Sequence, residues 1–382
     1  MDLDTFFVSV ERLVNPALEG KAVIIGGTSD RGVVASCSYE ARRFGVHSAM
    51  PMRMARQLCS QAAYVRGDME LYSRYSRLVT DVIADSAPLY EKTSIDEHYL
   101  DITGMDRFFG CYKWTHELRE RIIRHTGLPI SFGLSANKTV SKIATGQAKP
   151  NGELQVIPAE VHSFLDPLSI AKIPMVGEAS YRLLRSMGVS RIGTLRQMPP
   201  VMVEQVLGKN GLVIWRKANG IDPTPVKPYS ERKSISTEHT YDQDTTDLAL
   251  LRQTLTAMVE KIAFEMRSKQ KLTGCVTVKI RYTNFDTHTL QKQIPYTAFD
   301  HILLDTVISL FEKLYSRRML IRLVGVRFSQ LVGGSQQLNM FEDTPEMVSL
   351  YQAMDNIRRR FGRKALGRAG AMQTESSDHP KQ

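Results

Sequence analysis

Hydrophobic and polar positions in the first 165 residues follow two periodicities. Apolar runs and period-two alternation predict strands at 21–27 and 97–104, whereas spacings of three and four predict a long amphipathic helix over 68–91. Residues 128–152 predict a strand and then a helix that stops at a Lys-Pro-Asn-Gly turn. Strands and helices mixed in this order predict a sheet with helices packed on it.

The remaining chain shows different patterns. Residues 168–220 have only helical periodicity with short Gly-containing turns. The polar, basic stretch 226–236 predicts a linker, and 233–332 predict a second unit of strands and helices. Beyond residue 332 we expect a polar tail with one charged helix and a disordered end.

Charge and cysteine content narrow the class of protein. The 382 residues carry a formal net charge of +10, which favours a long polyanion as partner. The four cysteines form no Cys-x-x-Cys pair, which argues against a zinc site or a disulfide framework. No apolar run reaches the roughly 20 residues that span a membrane, and no leader is recognisable, so we expect a cytoplasmic protein.

Acidic residues stand where a metal site would need them. Asp96 and Glu97 are adjacent in an otherwise apolar run, where either a divalent cation or a solvated turn would relieve their repulsion. Asp2 and Asp4 point to one face if the N-terminus is extended. Hard Mg²⁺ prefers such oxygen ligands together with phosphate oxygens, so the pattern fits two-metal phosphoryl transfer.

A candidate phosphate-binding set lies in the segment SCSYEARRFG. Ser36 precedes Tyr39 and Arg42, which share a helix face if the segment is helical from Tyr39. Arg binds phosphate oxygens with its planar fork, and Tyr donates one more hydrogen bond. Lys149 adds a charge at a predicted helix end. Taken singly, each basic residue is more often a solvated surface group.

The combination resembles the Y-family (translesion) DNA polymerases, most closely the bacterial DNA polymerase IV class, over roughly residues 1–332. The matching stretches, in the family's order, include MDLDTFFVSVE, VVASCSYEARRFGVHSAMP, SIDEHYLDIT, SANKTVSKIATGQAKPNG and KSISTEHTY. The resemblance implies an α+β multidomain fold shaped as a right hand. Its expected parts are a palm at 1–10 and 67–165, fingers at 11–66, a helix-hairpin-helix thumb at 166–229, an α/β little finger at 230–332, and a tail at 333–382.

The resemblance also implies a metal site. Asp2 and Asp96 would bind two Mg²⁺ or Mn²⁺ ions, Glu97 would bind the catalytic ion, and the Leu3 carbonyl would add a ligand. Asp4 matches an acidic position that is usually not a direct ligand in the family. We therefore expect Asp4 to make a structural hydrogen bond.

A nucleotide site is implied as well. Tyr39, Arg42 and Lys149 would hold the incoming deoxynucleoside triphosphate, with Ser36 assisting. Phe7 falls at the sugar-discriminating position, where a ring under the sugar leaves no room for a 2′-hydroxyl. A plain core role for Phe7 is the alternative.

The implied activity is distributive, low-fidelity, template-directed addition of deoxynucleotides to a primer 3′ end, with bypass of damaged template bases. Val33, Val34 and Ala35 match the family's segment that roofs the nascent base pair, and Ala49 is similarly small. Such a roof would admit a distorted base and forgo a tight shape check. A non-catalytic DNA-binding accessory protein of the same fold and a metal-dependent nuclease are the alternatives.

Contacts with DNA and a partner protein follow from the same resemblance. We expect Lys279, Arg281 and Arg327 to contact backbone phosphates of primer–template DNA. In the thumb hairpin, Met175 stands where Gly is usual, and His98 follows Glu97 where a small residue is usual. We expect a monomer that docks on a sliding clamp through Gln337, Leu338, Met340 and Phe341.

Overall fold

The computed structural model describes residues 1–27, 29–105, 110–228, 231–317, 319–334, 345–362 and 365–369. The chain divides into two compact units, Met1–Ser230 and Glu231–Gln382. In the described ranges, no helix is long and apolar enough to cross a membrane.

The first unit combines small sheets with helices. Its elements, in chain order, are β1 (Asp2–Leu3), α1 (Phe6–Val14), β2 (Val23–Gly26), β3 (Val34–Cys37), α2 (Tyr39–Arg42), α3 (Met52–Leu58), β4 (Ala63–Val65), α4 (Met69–Ala84), β5 (Leu89–Lys92), β6 (His98–Asp101), α5 (Cys111–Thr126), β7 (Ile130–Leu134), α6 (Lys138–Ala148), β8 (Glu153–Gln155), α7 (Val161–Leu165), α8 (Glu178–Ser186), α9 (Ile192–Gln197), α10 (Pro200–Leu207) and α11 (Lys209–Ala218).

Among the described residues, four hydrophobic clusters build this unit, the smallest of them around Val8 and Val23. The strand order β1-β7-β8 forms one sheet, and side chains of α1, α4 and α5 pack with β1 and β7 around Tyr72. A second sheet, β3-β2-β4, packs on α2 and α3 around Ile24. The segment from α6 to α11 forms the third core around Leu184, and β5 pairs with β6 as a hairpin.

The helix predicted over 68–91 is shorter than expected. Asp68 caps its start by accepting hydrogen bonds from the Glu70 and Leu71 amides. The helix ends at Ala84, and Leu89–Lys92 form strand β5. Pro88 explains the difference, because a proline disfavours helical backbone in the residue before it and lacks an amide donor.

The second unit is a four-stranded antiparallel sheet with helices on one face. The strand order is β11-β10-β12-β9, and α12 and α13 cover the core face. The elements are β9 (Ser234–Thr245), α12 (Leu248–Ser268), β10 (Lys271–Tyr282), β11 (Thr287–Thr297), α13 (Asp300–Leu314), β12 (Ile321–Gly333) and α14 (Pro345–Phe361).

The charged helix expected in the tail is α14, and it is packed into this second unit. Arg267 of α12 donates from two nitrogens to Asp355 of α14, at 2.8 and 2.9 Å. The same guanidinium contacts Asp300, and Tyr351 packs on Phe299 with ring centres 5.4 Å apart. Buried ion pairs and aromatic contacts therefore anchor α14, which the charge pattern alone did not indicate.

Candidate active site

Strand β1 carries the acidic N-terminus into the interior of the first unit. Asp2 pairs with Ser131 of β7 on one side and forms a bridge with Glu97 on the other. The Leu3 amide donates to the Asp96 carbonyl at 3.1 Å. The structure thus brings together four residues that are far apart in sequence, which we call the carboxylate centre: Asp2, Leu3, Asp96 and Glu97.

Two lysines pair with carboxylates of the carboxylate centre. Lys149 Nζ contacts Asp2 Oδ1 and lies 3.1 Å from the Leu3 carbonyl oxygen, while Lys142 Nζ lies 2.6 Å from both carboxylate oxygens of Glu97. Burial raises the pKa of Asp2, against the opposing charge of Lys149. Burial would also raise the pKa of Glu97, but the hydrogen bonds and charge of Lys142 hold it below its usual range. These oxygens already accept cationic groups, and they are the hard ligands that Mg²⁺ prefers.

The neighbouring acidic residue Asp4 has a different environment. It is 1% exposed, and its two carboxylate oxygens accept from Ser131 Oγ at 3.0 and 2.9 Å. Its Oδ1 lies 3.5 Å from Lys149 Nζ. Asp4 therefore binds β7 and helps to hold Lys149 beside Asp2, which matches the structural role expected for it.

Tyr39 and Arg42 lie on the single turn of α2, which Ser38 caps by accepting from the Ala41 amide. The Arg42 guanidinium carbon lies 5.1 Å from the centre of the Tyr39 ring, so both side chains share a face. The Tyr39 hydroxyl is buried and has no hydrogen-bond partner among the described residues. Burial, reinforced by the charge of Asp4, raises its pKa to about 12. An unpaired buried donor suits an anionic ligand. Ser36 lies nearby on β3 and is 9% exposed.

Phe7 stands on a rigid aromatic support. Its ring stacks on Tyr72 with centres 4.3 Å apart and planes 12° apart. The Tyr72 hydroxyl donates to Glu11 at 2.5 Å, which fixes the stack. Phe6 is 3% exposed and belongs to the core, whereas Phe7 is only half-buried.

The structure corrects one part of the roof predicted over the base pair. Val34 is 1% exposed and packs in the core between β2 and α3, so it cannot contact a base pair. Val33 is 54% exposed, and Ala35 and Ala49 are exposed as well. The prediction for Val34 is wrong because successive side chains of a strand point to opposite faces.

Two departures from the family pattern have clear structural consequences. Met175 adopts a φ of +83°, the left-handed conformation that favours Gly, and its side chain is 57% exposed. His98 is 1% exposed, and its Nε2 lies 3.0 Å from Thr80 Oγ1 on α4. Burial lowers the pKa of His98 to about 3, so its ring is neutral and faces α4.

In the second unit, Lys279, Arg281 and Arg327 share the sheet face that α12 and α13 leave uncovered. Arg327 pairs with Thr277 of β10, two residues before Lys279, and is exposed. Lys279 Nζ lies 2.8 Å from Glu238, and Arg281 donates to Thr287 at 2.8 Å. The predicted clamp peptide, Gln337, Leu338, Met340 and Phe341, lies outside the described residues.

Comparisons with known proteins identify the family. Residues 1–146 match the impB/mucB/samB family, and residues 232–340 match the C-terminal domain of that family. The chain is 38% identical over 366 residues to a DNA polymerase IV of Dehalococcoides mccartyi, covering 95% of this chain and 94% of that one. A Y-family DNA polymerase chimera superimposes with a TM-score of 0.77 at 26% identity, covering 87% of this chain and 98% of that one. The chain belongs to the Y family of DNA polymerases.

Two further members of the family are similar over most of their length. A DNA polymerase IV of Desulfatibacillum aliphaticivorans is 36% identical over 386 residues, covering 99% of this chain and 97% of that one. A structure titled as an insertion ternary complex of Dbh DNA polymerase has a TM-score of 0.63 at 25% identity, over 87% of this chain and 98% of that one. The predicted fold class, a mixed helix-and-sheet polymerase of the Y family, is confirmed.

Sequence reasoning missed two residues of this site. Lys142 contacts Glu97; helical spacing places Lys142 on one face with Lys138 but does not indicate which carboxylate it meets. Tyr72 supports Phe7 from a distant helix, and no local signal indicated that contact.

Another group of potential ligands, His116, Glu120 and Glu153, lies within metal-binding reach elsewhere in the described part of the first unit. A guanidinium nitrogen of Arg119 contacts both of these carboxylates, at 2.6 and 3.1 Å, and already supplies positive charge there.

Proposed function

We propose that the chain is a DNA-directed DNA polymerase that carries out translesion synthesis in DNA repair, with the carboxylate centre as its metal site. The observation that carries the assignment is strand β1, which places Asp2 and Leu3 beside Glu97 and Asp96. Family membership supports the polymerase activity, and no comparison favours the non-catalytic accessory protein.

Polymerases of this family depend on metal ions, and we propose Mg²⁺ for this chain. When bound, two such ions would activate the attacking hydroxyl and stabilise the leaving pyrophosphate. Asp2 and Asp96 would bind both ions, Glu97 would bind the catalytic ion, and the Leu3 carbonyl would add a ligand. Ser94 orients this set, because its hydroxyl lies 2.5 Å from Asp96 Oδ1 and 3.0 Å from the Glu97 amide nitrogen.

The substrate is an incoming deoxynucleoside triphosphate on primer–template DNA. Tyr39 donates its unpaired hydroxyl to the triphosphate, and Arg42 and Lys149 add positive charge, with Ser36 assisting. These contacts hold the α-phosphorus in line for the primer 3′ oxygen. The 3′-hydroxyl oxygen forms a bond to the α-phosphorus and releases its proton to solvent. The bond from the α-phosphorus to the oxygen that bridges to the β-phosphate breaks, and pyrophosphate leaves.

Selection against ribonucleotides falls to Phe7, whose ring is held by Tyr72 and cannot turn aside. Val33, Ala35 and Ala49 form the low roof, which favours distributive synthesis of low fidelity and entry of damaged template bases.

We assign palm, fingers, thumb, little finger and tail to the residue ranges expected from the sequence. Lys279, Arg281 and Arg327 face DNA phosphates from the uncovered sheet face. The monomer works in the cytoplasm and docks on a sliding clamp through the peptide at 337–341.

The decisive test is primer extension by the purified chain with Mg²⁺, on a plain and an abasic template. We expect template-directed extension that requires Glu97 and deoxynucleotides. Glu97→Ala should abolish it, whereas Glu120→Ala, a change at an exposed residue of α5, should leave it intact. DNA binding without extension by the unaltered chain would instead favour the accessory protein.

A further inference from the structure

The ion pair between Lys142 and Glu97 is the least expected contact of the carboxylate centre. Lys142 Nζ lies 2.6 Å from Glu97 Oε1 and 2.6 Å from Oε2, so one ammonium holds both oxygens. The side chains are 40% and 28% exposed. An ion pair so open to water contributes little to folding, and folding alone does not explain it.

A divalent cation and this ammonium would compete for the same oxygens. A metal ion bound to Glu97 would lie beside Lys142 Nζ, and the two positive charges would repel each other across a short distance. Lys142 can move away from a bound ion, because its side chain is partly exposed and its ammonium group stands at the end of a flexible four-carbon chain.

We propose that Lys142 is a displaceable counter-cation of Glu97, which holds this carboxylate in the metal-free protein and moves into solvent when a divalent ion binds. The proposal rests on the proposed function, in which Glu97 is a metal ligand. Lys142 is thus a positioning residue. It keeps the Glu97 carboxylate in one orientation. It also lowers the affinity for the metal ion, because the ion must displace the ammonium group.

The same helix provides a matched control. Lys138 lies one turn before Lys142 on α6, and its Nζ lies 2.5 Å from Glu91 Oε2. Glu91 belongs to β5 and is not part of the carboxylate centre. Replacing Lys138 by Met removes one positive charge and one ion pair from α6 without freeing a metal ligand.

The experiment is a Mn²⁺ titration of the full chain without DNA or nucleotide, with free Mn²⁺ measured by electron paramagnetic resonance. We expect Lys142→Met to bind Mn²⁺ about tenfold more tightly than the unaltered chain, because the competing ammonium is gone. Lys142→Arg keeps the charge and should stay within about twofold, as should Lys138→Met. Thermal unfolding verifies that each variant is folded, and Lys142→Gln replaces the Met variant if the latter is not.

Failure of this inference can be distinguished from failure of the proposed function. If Glu97→Gln weakens Mn²⁺ binding but Lys142→Met leaves it unchanged or weakens it, Lys142 does not compete and the inference is overturned alone. If Lys138→Met tightens binding as much as Lys142→Met, the effect is one of overall charge and the inference also fails. If Glu97→Gln has no effect on binding, Glu97 is not a ligand and both fall.

Discussion

At the scale of single residues, the role of Phe7 depends on the ring that it packs against, and that of Met175 on its backbone conformation. Phe6 and Phe7 are neighbours of the same type, yet Phe6 fills the core while Phe7 is half-buried against Tyr72. Met175 occupies a backbone conformation that its side chain disfavours.

Replacing Phe7 by Ala should allow the protein to incorporate ribonucleotides. Removing the ring makes room for the 2′-hydroxyl, so discrimination between deoxy- and ribonucleotides should fall by about 100-fold in single-nucleotide kcat/KM. Phe6→Leu serves as the control, since it changes the core and should leave sugar selection unaltered. Equal discrimination in the Phe7 variant would place the sugar gate elsewhere.

Met175→Gly should stabilise the first unit. A non-Gly residue at a φ of +83° carries a steric cost, and Gly removes it, for a net gain of up to about 1 kcal/mol after its larger unfolded-state entropy. Both tryptophans, Trp114 and Trp215, lie in this unit, so urea unfolding followed by their fluorescence reports on it.

The control for that substitution is Met187→Gly in the same hairpin, because Met187 has a φ of −90° and gains nothing from Gly. A loss of stability in both variants would show that Met175 is unstrained.

Among the elements of the first unit, α6 connects segments that are far apart in sequence. At its start, Asn137 Nδ2 donates to the Gly220 carbonyl at 2.8 Å, and Thr139 donates to Asp222 at 2.6 Å. One turn further, Lys142 contacts Glu97, and Lys149 follows its last residue. One helix therefore joins the segment after α11 to the carboxylate centre.

Asp222→Asn should weaken this connection in a pH-dependent way. Burial alone would raise the pKa of Asp222. Hydrogen bonds from Thr139, Thr224 and Lys217 outweigh this effect and lower the pKa from 3.8 to about 2. Because the folded-state pKa is the lower one, the stabilisation is present above the unfolded pKa and disappears as the pH falls through 2. We expect a loss of about 2 kcal/mol at pH 7 that shrinks to about half near pH 3.

Urea unfolding of both proteins at several pH values, followed by tryptophan fluorescence, measures this difference. Asp30→Asn, whose residue is 67% exposed beside Arg56, should cost less than about 1 kcal/mol at every pH. A pH-independent loss in Asp222→Asn would mean that the hydrogen bonds matter and the charge does not.

For the whole molecule, the net charge of +10 indicates a binding surface only where basic side chains share one exposed face. The second unit buries one sheet face under helices and presents Lys279, Arg281 and Arg327 on the other. A basic, uncovered sheet face suits a phosphate backbone.

Arg327→Ala should therefore reduce the salt dependence of DNA binding. The slope of log K against log salt should fall by about one, because one phosphate contact is lost. Fluorescence anisotropy of labelled primer–template DNA at several KCl concentrations measures it. Arg252→Ala changes the helical side of the same unit and should leave the slope unchanged. An unaltered slope in Arg327→Ala would count against Arg327 as a phosphate contact.

Some elements were predictable from local pattern and others were not. Strands β2 and β6 carry clear apolar patterns, which predict strands at these positions. Strands β9 and β11 are the two edges of the second sheet and bury few side chains, so their polar sequences were not recognised. Helix α4 is shorter than its pattern predicts, because the apolar spacing continues past Ala84.

The sequence by itself determined the chemistry that this protein brings to its site. The residue types at Asp2, Asp96, Glu97, Tyr39 and Arg42, in the family's order, are enough to indicate a metal-dependent polymerase. The sequence states these residue types and their order directly, so no knowledge of the folded structure is needed to recognise them.

Only the tertiary structure decided which of these groups touch one another. It paired Lys142 with Glu97 and buried Asp4 against Ser131. Those contacts join segments distant in sequence, and their geometry depends on how β1, β7 and α6 pack, which no local pattern encodes.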